Sequence, residues 1–83
     1  MPIEYIEDLL AETGRKCLRV IVTRRLTHEQ SASLAKWLFG CMNQRFTIRS
    51  RVEKRGTAEI DKVLEFVAQA AAAIEEIEGV EDE

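Results

Sequence analysis

The sequence predicts a small α+β domain of five elements, in the order helix, strand, helix, strand, helix. The helices would pack on one face of a two-stranded sheet. Three observations point there. Segments 16–26 and 45–54 alternate apolar and polar residues and are enriched in β-branched side chains. Three other segments carry apolar residues at helical spacing. The glycines at positions 14, 40, 56 and 79 fall where such elements would break.

The first helix is expected over 3–13. Ile3, Ile6, Leu9 and Leu10 form its apolar stripe, Pro2 suits a first turn, and Gly14 suits a C-terminal cap. The first strand, 16–26, sets Leu18, Val20 and Val22 against Arg19, Ile21, Thr23 and Arg25. Thr27 followed by Gln30 is a capping-box signature, so a middle helix starts there and reaches 39 or 42. The second strand, 45–54, puts Phe46, Ile48, Ser50 and Val52 on one face and Arg45, Thr47, Arg49, Arg51 and Glu53 on the other. Thr57 caps a last helix over 58–78, whose apolar positions Ile60, Val63, Val67, Ala70, Ile74 and Ile77 follow a heptad spacing. Residues 79–83 read as a frayed acidic tail on a single domain spanning 1–83.

Charge is sorted by position. Residues 15–55 contain eleven of the twelve Lys and Arg and only two acids, Glu29 and Glu53, although the whole chain carries a formal charge of −3. If the two strands share a sheet, Arg19, Arg25, Arg45, Arg49 and Arg51 project together from the face the helices leave open. Guanidinium forks suit phosphate or carboxylate, so this face is a candidate binding surface. The second candidate is the acidic end of the last helix, Glu75, Glu76 and Glu78, whose carboxylates could occupy a basic groove elsewhere.

Several function classes are disfavoured. His28-Glu29 begins like HExxH, but the fifth residue is Ala32, and no glycine-rich phosphate loop or GxSxG appears. The expectation is therefore no enzyme, no metal and no cofactor. Cys17 and Cys41 are isolated and lack CxxC spacing, which suits reduced thiols in a cytoplasmic protein. No apolar run approaches the roughly 20 residues of a membrane span, and 1–4 do not read as a signal peptide.

Two strands alone are marginal and leave their edges unpaired. A homodimer that joins them into four strands is expected, with the heptad seam of the last helix as a second contact. The reading of function is a small non-catalytic regulator or inhibitor of the kind phages and mobile elements encode. It would bind another protein or a protein–nucleic acid complex stoichiometrically. The alternative is a nucleic-acid-binding module using the arginine face. The basic face carries no aromatic ring in this arrangement, which disfavours base stacking. Strand–helix–strand–helix order, short length and an acidic last helix are similar to small DNA-damage-inducible regulators that bind the recombinase filament, although the first helix departs from their order.

Overall fold

In the computed structural model, which describes residues 2–80, three helices follow one another: α1 Ile3–Thr23, α2 His28–Arg55 and α3 Ala58–Val80. Among the described residues there is no strand, so the α+β expectation and its sheet are overturned. Both expected strands lie inside helices, 16–23 at the end of α1 and 45–54 in the second half of α2. The likeness to recombinase-filament regulators falls with them. Gly79 and Val80 belong to α3 instead of a tail, and 81–83 lie outside the described residues.

The physical reason is a periodicity that outweighs local preference. Along α1 the buried residues Ile6, Leu10, Thr13, Cys17 and Val20 recur every three or four positions and run straight through Gly14. Along α2, Leu34, Cys41 and Ile48 are buried and Leu38 and Val52 are partly buried, again at helical spacing. The β-branched residues of 20–23 accept the helix because burial of that stripe exceeds the few tenths of a kcal/mol each costs in propensity. Threonine hydroxyls bond back to carbonyls one turn earlier: Thr13 Oγ1 to Leu9 O at 2.8 Å, Thr23 Oγ1 to Arg19 O at 2.6 Å, and Thr47 Oγ1 to Asn43 O at 3.0 Å.

Two corners fold the chain. At the first, Thr27 Oγ1 accepts from the Gln30 backbone N–H at 3.0 Å while the Gln30 side chain accepts from the Thr27 N–H at 2.9 Å. This is the capping box the sequence predicts. At the second, Gly56 adopts φ 90° and ψ −177° after α2. That region is open essentially to glycine alone, so the sharp corner into α3 depends on it.

The result is a rod of three helices, 45 × 17 × 17 Å, with α2 antiparallel to α1 and α3. α2 has 28 residues and spans about 42 Å at 1.5 Å per residue, nearly the whole rod. The core has two clusters. One joins Ile6 and Leu10 of α1, Ile48 of α2, and Ile60 and Val63 of α3. The other joins Cys17, Val20, Leu34 and Ile74. Between them Trp37 and Phe66 pack with ring centroids 5.2 Å apart. The heptad seam of α3 faces this core, with Ile60, Val63, Ala70 and Ile74 buried, so it is not a free dimer contact. Without strands there are no strand edges to pair either, and both structural reasons for expecting a homodimer are removed.

Candidate functional site

α3 covers one side of the α1–α2 pair, and the opposite side is open. Along it runs a groove of about 630 Å³. Its floor is made by Leu10 and Gly14 of α1 and Leu38 and Cys41 of α2. Leu18 and Ala11 form one wall, and Met42 and Phe46 the other. Several of these wall residues are large apolar side chains with much of their surface in water: Phe46 is 88% exposed, Met42 58% and Leu18 48%. Val22, one turn beyond Leu18, is 69% exposed, and Phe39, one turn before Met42, is 65% exposed. Scattered exposed apolar residues are ordinary, but three lining one concavity, with two more a turn away along the same helices, are a different matter.

The rim is charged. Arg15 stands on the α1 side and Arg45 and Arg49 on the α2 side, with Glu7 as the only lining carboxylate among the described residues. Arg49 holds Glu7 in a two-pronged pair, Nη2 to Oε1 at 2.8 Å and Nε to Oε2 at 3.2 Å. That contact keeps the Glu7 carboxyl below the ordinary carboxylate value and raises Arg49. Arg15 bonds Glu12 at 2.9 Å within α1, an exposed pair that leaves its guanidinium free to turn. Arg45 has no ion pair among the described residues.

The five arginines expected on one sheet face are therefore dispersed. Arg45 and Arg49 share the groove, and Arg19 is exposed on α1 one turn beyond Arg15. Arg25 is exposed in the turn between α1 and α2. Arg51 lies elsewhere: two residues apart means the same face on a strand but about 200° of rotation on a helix. It points toward the α2–α3 corner, donating to Glu59 Oε1 at 3.0 Å, Gln44 Oε1 at 2.6 Å and Thr47 Oγ1 at 3.1 Å. Glu59 is buried and also accepts from Lys62 at 3.1 Å, so Arg51 is a structural tie. Glu75 and Glu76 are exposed and Glu78 is half-buried on the last two turns of α3.

The groove's apolar walls are not visible in the strand arrangement, which sets Phe46 on the apolar face with Ile48. The signal that could have found them is the helical stripe Leu34–Leu38–Cys41–Ile48–Val52, which leaves Phe39, Met42 and Phe46 on a second face.

Chemistry offers little else. Cys17 and Cys41 are buried and free, and burial pushes the Cys41 thiol up to about 11, away from nucleophilic use. No cluster of His, Cys, Asp or Glu suited to a metal ion occurs among the described residues. No helix among them is long and apolar enough to cross a membrane. Comparisons with protein-family models, with curated proteins and with solved structures found no significant match.

Proposed function

We propose that this protein is a non-catalytic regulator that works by stoichiometric docking, with the α1–α2 groove receiving a segment of another protein. An inhibitor, an antirepressor or an accessory subunit would act in this way. We place that role in the cytoplasm, where two free thiols stay reduced. The observation that carries the reading is the contiguous set Leu18, Met42 and Phe46 standing in water around an apolar floor. Covering four or five half-exposed side chains of this kind is worth on the order of 5 kcal/mol, with a similar amount from the segment laid on them. Set against an association cost of at least about 4 kcal/mol, the balance suits a reversible interaction in the micromolar to millimolar range.

Leu18→Glu and Phe46→Glu test it. Both positions face solvent, so unfolding free energy should move by no more than about 0.5 kcal/mol. A nuclease-treated host extract should yield a partner held by the wild-type chain and lost by both variants. The purified pair should then reassemble at fixed stoichiometry. A partner retained equally by the variants sinks the proposal.

A second reading, nucleic-acid binding, has one observation in its favour. Phe46 stands nearly bare beside Arg45 and Arg49, and a shallow trough from Asn43 to Arg55 passes it and includes Lys54. A ring among cations can stack a base. The aliphatic walls at Leu18 and Met42 gain nothing from such a ligand, which is why protein docking is preferred. No binding of mixed single-stranded DNA at about 50 mM salt would end this second reading.

A further inference from the structure

We infer that the occupant of the groove is an amphipathic helix of another protein, with carboxylates on both shoulders of its apolar stripe. The inference rests on the docking role proposed for the same groove and names the chemistry of what docks.

Shape argues for a helix. The groove lies between two antiparallel helices, in the place a fourth helix would take in a bundle. Both walls are helical, with their backbone N–H and C=O groups already paired along the helix axis. An extended segment would find no backbone partners there and would carry its own polar groups into an apolar trough. A helix brings its hydrogen bonds with it and presents only side chains. From Glu7 to Leu18 the lined stretch is about 16 Å long, three turns of helix, which calls for anchors at i, i+3 or i+4, and i+7.

Charge argues for acidic shoulders. Arg15 rises from one wall and Arg45 and Arg49 from the other, so cations flank the apolar centre on both sides. The one lining carboxylate, Glu7, is already held by Arg49. An occupant bearing Glu or Asp beside its apolar stripe would meet Arg15 on one shoulder and Arg45 on the other. A lysine-bearing occupant would face like charge on both.

The same features argue against a second copy of this chain. Two grooves face to face would bring Arg15, Arg45 and Arg49 of one copy against the same three of the other. The acidic outer face of α3 has the right charge, with Asp61, Glu65, Glu75 and Glu76 exposed and Glu78 half-buried. Among the described side chains, however, its exposed apolar residues are alanines such as Ala68, Ala71 and Ala72, too small to fill the groove. Such a contact would also be head-to-tail, building a ring or a filament in place of a two-fold dimer.

The experiment is a displayed library of peptides of roughly 18 residues, five helical turns. The apolar stripe is fixed as Leu, and the shoulder positions vary among Glu, Gln and Lys. Selection uses the intact protein, with Leu18→Glu as the counter-selecting surface. Light scattering of the protein alone at micromolar concentration runs alongside. The expected result is enrichment of Glu on both shoulders. A selected peptide should bind at least about tenfold tighter than its Lys counterpart and gain helical circular dichroism when bound. The double variant Arg15→Glu/Arg45→Glu should reverse that preference, which a merely sticky surface would not do. Binders with no charge bias, or with Lys favoured, overturn the acidic helix while leaving the groove a docking site. No binders at all, or binders all removed by the Leu18→Glu surface, overturn the docking role itself. A dimer that Leu18→Glu dissociates assigns the groove to a second copy and overturns the inference. Peptide displaced by single-stranded DNA from the wild-type chain assigns it to nucleic acid and does the same.

Discussion

Gly14 and Gly40 both sit inside helices, where glycine costs about 1 kcal/mol relative to alanine, yet their surroundings differ. A Cβ on Gly40 would come within 2.5 Å of Phe66 Cζ and 3.0 Å of its Cε1, and that ring is packed against Trp37. Gly40 is therefore what lets α3 approach α2. A Cβ on Gly14 would sit 3.5 Å from Leu38 Cδ1 and 3.6 Å from Cys41 Cβ, which is ordinary contact. Packing between α1 and α2 does not require that glycine; its lack of a side chain deepens the groove floor. Urea unfolding should separate the two. Gly14→Ala should stabilise by about 0.5–1 kcal/mol. Gly40→Ala should destabilise by up to about 2 kcal/mol, because an overpacking cost of 1–3 exceeds the propensity gain. Equal responses would mean that Phe66 yields freely. Gly14→Ala should also weaken binding in the groove, separating stability from reception at one residue.

The joints between elements carry the pH dependence. Arg51, and after it Lys62, hold the Glu59 carboxyl below its ordinary value of 4.5 against the opposing effect of burial. Arg49 does the same for Glu7 between α1 and α2, and within α1 Arg15 does so for Glu12. A carboxyl whose value is lower in the folded chain than in the unfolded one contributes its stability above the unfolded value. That contribution is lost as pH falls through the folded value. Thermal midpoints should accordingly be level from neutrality down to about pH 5 and decline below 4.5. Glu59→Gln should lower the neutral midpoint and flatten part of the acid decline. An unchanged acid limb in that variant would remove the corner from the account.

Elements also show how much could be read from sequence. The start of α1 at Ile3, the capping box at Thr27 and Gln30, the corner at Gly56 and the seam of α3 were all legible, because each is a local signal with one mechanism. The two strands were misread for a reason tied to the groove. Leu18 lines the groove and Val22 is exposed one turn on while Val20 faces the core, and Phe46 faces outward while Ile48 is buried. A helix with two apolar faces, read two residues at a time, imitates the alternation of a strand. Of the candidate site, the cations Arg45 and Arg49 were found, but their shared face with Arg51 was an artefact of the strand period. Local pattern fails most often where a chain keeps surface for something other than folding.

At the scale of the molecule, two apolar clusters sit along one 45 Å rod and meet at Trp37 and Phe66. Trp37 packs with the cluster of Cys17 and Leu34, and Phe66 with that of Ile6 and Ile48. The ring contact therefore ties the ends into one cooperative unit. Tryptophan fluorescence and far-ultraviolet circular dichroism should report coincident melting curves, as two-state unfolding of a small domain requires. Curves that separate would show the two ends opening independently, and a Phe66→Leu variant should then separate them no further.

Cys41 lies at the bottom of the open trough with its sulfur shielded from solvent. An alkylating reagent must wait there for a thiolate that is scarce at neutral pH and for an opening between the two walls. Anything seated above would lengthen that wait. The chain thus contains its own chemical clock, able to signal when the trough is filled without a dye or a tag being attached.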